Sequence, residues 1–133
     1  MGATLDTSVL IDLLQNNSAA LTQVERLEAQ GLEPFLSAVA VFEVLSGVEF
    51  TQSRAERARV EIVLRQIPIE PFDLDCARRA GELRAELLRM GKTPGAPDVM
   101  IAGYALALGH TLLTRDKRLA EAGSALGLAT VLY

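Results

Sequence analysis

Four acidic residues of this sequence lie where a hydrophobic side chain would bury more surface. Two follow apolar, strand-like runs and two interrupt the apolar faces of helices; they are Asp6, Asp116, Glu43 and Asp98. A buried, ionised carboxylate is costly unless it is paired with a cation or binds a metal. Carboxylates that meet from separate segments repel one another unless positive charge lies between them. The pattern therefore predicts an all-oxygen site for a hard divalent cation, Mg²⁺ or Mn²⁺.

Such a site has a defined chemistry. Divalent cations held by carboxylates activate water and stabilise the leaving oxygen in an in-line displacement at phosphorus. A zinc site is not expected, because the chain has one cysteine and one histidine and therefore no cluster of soft ligands.

Each acidic residue also has a structural alternative. Asp6, Asp98 and Asp116 lie near predicted helix starts, where aspartate is favoured as a cap. Glu43 lies in the middle of a helix, and its alternative is a salt bridge to an arginine of another helix. Asp12 lies on a polar helical face, and no chemical role is predicted for it.

Short apolar strands and helices alternate along the chain. Strands are predicted over 3–5, 33–39, 67–72, 111–114 and 128–133, and helices over 7–15, 18–31, 37–46, 53–65, 73–91, 98–109 and 115–127. This alternation indicates a parallel α/β sheet with helices on both faces. Ligands of such sheets gather beyond the carboxyl ends of the strands. Asp6 and Asp116 each follow a strand, so we expect them at the same edge.

Composition limits the class of protein. The chain has 133 residues, of which 50% are hydrophobic, and this predicts one globular domain over residues 1–133. A net charge of −4 argues against a protein that coats nucleic acid electrostatically. The lone Cys76 cannot form an internal disulfide. We expect a cytoplasmic protein, because neither a signal-peptide pattern nor an apolar segment of about 18 residues is found.

Four stretches in order resemble the motifs of the PIN-domain ribonucleases, above all the single-domain VapC-type toxins of toxin–antitoxin pairs. The stretches are LDTSVLIDLL, LSAVAVFEVLSGV, GAPDVMIAGYALALG and TLLTRDKRL. The resemblance covers nearly the whole chain and places the family's acidic residues on Asp6, Glu43, Asp98 and Asp116. It implies a three-layer α/β/α fold with a short, mostly parallel sheet.

The resemblance also implies an activity and partners. The implied activity is Mg²⁺- or Mn²⁺-dependent endonucleolytic cleavage of RNA that leaves 5′-phosphate and 3′-hydroxyl ends. Asp6 and Asp98 would be direct metal ligands, and Glu43 and Asp116 would complete the site directly or through water. Three hydroxyl residues, Thr7, Ser8 and Thr114, would orient carboxylates or waters around the cation. The implied partners are a cognate VapB-type antitoxin that wraps the toxin and a second copy of the chain in a homodimer.

Basic residues near the predicted edge are candidates for contacts with RNA phosphates. They are Lys92, Arg115, Lys117 and Arg118. Their alternative is ordinary solvated surface charge. The alternative for the whole protein is a catalytically silent PIN-like module that only binds a partner or RNA. The presence of all four acidic residues argues against that alternative.

Overall fold

A computed structural model describes residues 1–133. The strands are Gly2–Leu5 (β1), Glu33–Ser37 (β2), Ile69–Glu70 (β3), Thr111–Thr114 (β4) and Thr130–Leu132 (β5). The helices are Thr7–Leu14 (α1), Ser18–Ala29 (α2), Ala38–Thr51 (α3), Arg54–Gln66 (α4), Leu74–Arg89 (α5), Ala96–Leu108 (α6) and Lys117–Ala125 (α7). The predicted alternation of strands and helices is confirmed.

The strands form one parallel sheet in the order β3-β2-β1-β4-β5. β1 and β4 are neighbours, and Leu5 pairs with Leu113. Because parallel strands end at the same edge, the residues that follow this pair come together there. The sheet therefore brings Asp6 beside Thr114 and the loop that contains Asp116.

Helices cover both faces of the sheet. Successive strand residues point to opposite faces, and in β4 Leu112 and Leu113 accordingly belong to two different hydrophobic clusters. The Leu112 cluster includes buried residues of α5, α6 and α7, and the Leu113 cluster includes buried residues of α1 to α4. This arrangement is the predicted three-layer α/β/α fold. None of the helices combines the length and the apolar character needed to cross a bilayer.

One capping alternative near the site is confirmed and one predicted helix boundary is wrong. Asp6 caps α1, which begins at Thr7 as predicted, since its carboxylate accepts a hydrogen bond from the Thr7 backbone N–H. α3 does not end at Ser46 but continues through Gly47 to Thr51. Its continuation buries Val48 against the core, which outweighs the cost of about 1 kcal/mol for a glycine inside a helix.

Helix α6, which contains Asp98, packs tightly against α5. A Cβ atom on Gly103 would lie 2.6 Å from the backbone nitrogen of Ala80, which is too close for any larger residue without a shift. The glycine therefore allows a close approach of the two helices. Together with the packing of α6 against α3, α7 and strands β1 and β4, this contact positions the helix that contains Asp98.

Candidate active site

Asp6 lies at the end of β1 and is only 4% exposed. Its backbone N–H donates to the Leu113 carbonyl at 3.0 Å, which continues the pairing of β1 with β4. Oδ1 accepts from the Thr7 backbone N–H at 2.8 Å, and Oδ2 accepts from the Thr114 hydroxyl at 2.7 Å. Both oxygens are thus oriented by neutral donors, and no lysine or arginine forms an ion pair with them.

Glu43 lies beside Asp6 through a shared neighbour. The Thr7 hydroxyl donates to Glu43 Oε1 at 2.6 Å, so α1 holds a side chain that comes from the middle of α3. Glu43 is half-buried and has no lysine or arginine nitrogen within 4.0 Å. The salt-bridge alternative for this residue is therefore wrong.

Asp98 is not a helix cap. Gly95 occupies the N-cap position of α6 and makes no side-chain hydrogen bond, so the capping alternative for Asp98 is wrong. The carboxylate lies one turn further along and is half-buried. It also lacks an ion-pair partner. Its position in the first turn of α6 is favourable for the helix dipole, but neither a cap nor an ion pair accounts for its burial.

Asp116 caps helix α7 with one carboxylate oxygen, Oδ1, so its second oxygen, Oδ2, makes none of the capping hydrogen bonds. Oδ1 accepts from the backbone N–H groups of Arg118 at 3.0 Å and Leu119 at 3.2 Å. The Asp116 N–H in turn donates to the Thr114 hydroxyl oxygen at 3.0 Å. Arg118 Nε lies 3.9 Å from Oδ1, which makes a long, exposed ion pair. Capping and a role in the site are compatible for this residue.

The pKa values of Asp98 and Asp6 respond to the charges of the neighbouring acidic residues. Burial, followed by the negative charges of Asp6, Glu43 and Asp116, raises the pKa of Asp98 to about 6, and the positive charge of Arg118 opposes this rise. Burial also raises the pKa of Asp6, with smaller contributions from Asp116 and Glu43, while the hydrogen bonds from Thr114 and Thr7 lower it. The predicted acidic residues therefore act on one another at one edge of the sheet.

The four carboxylates do not form a closed set of ligands. In the positions that the structure gives them, no three histidine, cysteine, aspartate or glutamate side chains are arranged to hold a metal ion. Their hydroxyl partners only partly explain the arrangement: Thr7 and Thr114 hold Glu43 and Asp6, whereas Ser8 holds none of the four.

The basic residues predicted to contact phosphate differ in their surroundings. Lys92 and Arg118 line a small cleft of about 50 Å³ together with Asp98 and Asp116. Lys92 Nζ lies 3.5 Å from Glu121, and Lys117 is exposed at the start of α7. The fourth residue, Arg115, is half-exposed, and its Nε lies 3.3 Å from Asp12.

Asp12 is a functional candidate that the sequence did not reveal. The sequence predicts a polar helical face and no chemical role for this residue, but the residue is buried, with 6% exposure. Its Oδ2 accepts from the Tyr133 hydroxyl at 2.7 Å and pairs with Arg115. Tyr133 is 121 residues away in the chain, so the sequence around Asp12 could not predict this contact.

Thr114→Val tests the support of Asp6. Valine keeps the shape but removes the donor, and a buried carboxylate oxygen that loses its partner costs about 1–3 kcal/mol. We expect urea unfolding at pH 7 to show a loss of this size. Thr114→Ser, which keeps the hydroxyl, and Thr111→Val, a change in the same strand, are the controls. Equal stability of Thr114→Val and the wild type would contradict the role of this hydrogen bond.

Comparisons with known proteins agree with this geometry. The model of the PIN domain family matches residues 3–124. The tRNA(fMet)-specific endonuclease VapC of Shigella flexneri is 31% identical over 115 residues, which cover 86% of this chain and 86% of that protein. In the DNA-bound VapBC structure from Salmonella typhimurium, a chain with a TM-score of 0.79 is 26% identical and covers 98% of this chain and 97% of its own length. A chain of the Rickettsia felis VapBC2 structure, bound to a promoter DNA fragment, has a TM-score of 0.82 at 24% identity, and the match covers 100% of this chain and 99% of that one. The resemblance seen in the motifs is confirmed, and the chain belongs to the PIN-domain family.

Proposed function

We propose that this chain is a VapC-type toxin, an endoribonuclease that hydrolyses RNA phosphodiester bonds with Mg²⁺ or Mn²⁺. The observation that carries the proposal is the gathering of four carboxylates at the carboxyl edge of the sheet. Three of them, Asp6, Glu43 and Asp98, have no lysine or arginine partner. Buried or half-buried carboxylates without a basic partner are costly, and a bound cation would compensate their negative charge.

The donor set fits a hard divalent cation. All candidate ligand atoms are carboxylate oxygens, which Mg²⁺ and Mn²⁺ prefer. Asp6 and Asp98 would be the direct ligands, and Glu43 and Asp116 would complete the site directly or through water. The cation supplies positive charge that acidifies water and stabilises the charge that develops on the phosphate oxygens.

The chain's own residues supply orientation. The donors from Thr7 and Thr114 fix both oxygens of Asp6, so its carboxylate needs little reorganisation when a cation binds. The Thr7 hydroxyl engages Glu43 Oε1 and leaves Oε2 to accept a proton from the attacking water. Lys92 and Arg118, which line the cleft beside Asp98 and Asp116, would bind the phosphates that flank the cleaved bond.

RNA cleavage by the purified chain tests this proposal. Transfer RNA is the first substrate to try, since the Shigella flexneri relative is a tRNA(fMet)-specific endonuclease. With end-labelled initiator tRNA we expect discrete cuts in Mn²⁺ or Mg²⁺, none in EDTA, and 5′-phosphate and 3′-hydroxyl ends. Cleavage that persists in EDTA would contradict the proposal. A failure to cut transfer, ribosomal and messenger RNA would favour the silent binding module.

A groove next to the site is suited to an antitoxin. It has a volume of about 360 Å³ and lies between α1, α3 and α4, and its apolar lining includes Ile11, Leu14, Val44 and Val60. Glu43 lines the same groove. We propose that an apolar segment of the antitoxin occupies it, and that a basic residue of this segment pairs with the carboxylates. The structures similar to this chain include VapBC complexes. The homodimer stays a prediction.

Gly47→Trp tests the groove. Gly47 lines it, and no atom lies within 4 Å of an added Cβ, so a large side chain enters open space. We expect the variant to fold and to cleave RNA, but to lose co-purification with the antitoxin, which the neighbouring reading frame should encode. Gly81→Trp, an equally open helical position on α5, is the control. Antitoxin binding by Gly47→Trp at wild-type affinity would contradict this location.

A further inference from the structure

We propose that Asp12 and Tyr133 are positioning residues of the nuclease site. They act through Arg115 on the segment Thr114 to Asp116, which contains two of the residues around the cation. This inference rests on the proposed function. It adds two residues that lie outside the four acidic motifs.

The first step is the unusual setting of Asp12. Its side chain is 8% exposed, and one oxygen, Oδ2, contacts both the Tyr133 hydroxyl at 2.7 Å and Arg115 Nε at 3.3 Å. A buried carboxylate with a single cationic partner and one hydroxyl donor is tightly constrained, because loss of either partner leaves its charge poorly compensated. Asp12 therefore holds Arg115 in one place relative to α1.

The second step is the position of Arg115 in the chain. The residue before it, Thr114, donates to Asp6, and the residue after it, Asp116, caps α7. α1 begins at Asp6 and contains Asp12. The loop after β4 is thus attached to α1 at two points, Thr114 to Asp6 and Arg115 to Asp12. The contact of Arg115 with Asp12 restricts the direction of the loop further than the Thr114 hydrogen bonds to Asp6 and Asp116 do alone.

The third step is the role of Tyr133. It follows β5, which pairs with β4 so that Leu132 lies opposite Thr114. The tyrosine is therefore carried to the same edge of the sheet as the acidic residues. Its hydroxyl donates to Asp12 Oδ2 and so orients the carboxylate that receives Arg115.

Titration with Mn²⁺ distinguishes a role of Asp12 and Tyr133 in positioning the metal site from a role in the stability of the fold alone. We would measure Mn²⁺ affinity by calorimetry without RNA, and kcat and KM for tRNA cleavage at saturating Mn²⁺. For Asp12→Ala and for the milder Tyr133→Phe we expect Mn²⁺ affinity to fall about tenfold, and kcat to fall about 10–100-fold, as for residues that orient metal ligands. KM is expected to stay within about twofold of the wild type. Asp12→Asn, which keeps an acceptor oxygen for Tyr133, should recover part of both losses.

Val24→Ala is the control for stability. Val24 is buried in α2, belongs to the core cluster on the α1–α4 face, and forms no part of the Asp12–Tyr133–Arg115 contacts. It should lower the melting temperature while Mn²⁺ affinity and kcat stay at wild-type values. The proposal is overturned if Tyr133→Phe leaves both quantities unchanged, or if only KM rises, which would make Arg115 a phosphate contact alone. A wild type that binds no Mn²⁺ and cuts no RNA would instead refute the nuclease function itself.

Discussion

Replacement of Asp6 or Asp98 by asparagine is expected to lower the rate of RNA cleavage by about a thousandfold. Asparagine keeps the size of the side chain but removes the negative charge that a hard cation requires. Changes to residues that only orient metal ligands cost about 10–100-fold, so removal of a direct ligand should cost more. Single-turnover cleavage of end-labelled tRNA at fixed Mn²⁺ measures the effect.

Asp75→Asn is the matched control, because Asp75 is an exposed residue of α5 far along the chain from the four motifs. It should cleave at the wild-type rate. If Asp6→Asn and Asp98→Asn also cleave at the wild-type rate, these carboxylates do not hold the cation, and the assigned site is wrong.

The second large effect concerns stability. We expect Asp98→Asn to make the metal-free chain more stable at pH 7, although the same change lowers the rate of RNA cleavage. The pKa of Asp98 is raised from 3.8 to about 6, first by burial and then by the neighbouring acidic residues. Between these two pH values the folded chain retains a proton that the unfolded chain has lost. Stability therefore falls as pH rises through this window, and above about pH 6 the whole penalty is present.

The size of this effect follows from the shift after a discount for partial exposure. The pKa shift of Asp98, converted in full into a free energy of unfolding, would correspond to about 3 kcal/mol. Because solvent screens this half-buried side chain, we expect a difference in stability of about 1–2 kcal/mol. We expect the melting temperature of Asp98→Asn at pH 7 to exceed that of the wild type by about 3–8 °C. The difference should disappear near pH 4, where both side chains are neutral.

Added Mn²⁺ should reverse the order of stability. A cation that binds only the folded chain raises its melting temperature, and the wild type should gain more than Asp98→Asn. Thermal melts of both proteins at pH 4 and pH 7, with Mn²⁺ and with EDTA, test this expectation without any RNA. A wild type that is as stable as Asp98→Asn at pH 7 in EDTA would show that the carboxylates do not destabilise the metal-free chain.

The sequence was informative where function depends on strand ends and helix faces. Asp6 and Thr114 could be placed at one edge because each lies at the end of an apolar strand, and parallel pairing brings such ends together. Glu43 could be singled out because it interrupts an apolar helical face. The four motifs then supported the family, which the match over residues 3–124 shows.

Other features depend on contacts that no local pattern encodes. The burial of Asp12 arises from Tyr133 and Arg115, which reach it from the far end of the chain. The length of α3 arises from the packing of Val48, which overrides the usual effect of Gly47. The mutual orientation of the four carboxylates also depends on tertiary packing. The sequence could therefore identify the acidic residues but not how their oxygens are arranged around a metal ion.

Anomalous diffraction from crystals grown with Mn²⁺ tests the central claim most directly. We predict a manganese peak between Asp6 and Asp98, about 2.1 Å from an oxygen of each, with Glu43 and Asp116 in direct or water-mediated contact. The peak should be absent from crystals of Asp98→Asn. A manganese peak elsewhere on the molecule, or none at all with the four carboxylates well ordered, would contradict a cation site at this edge of the sheet.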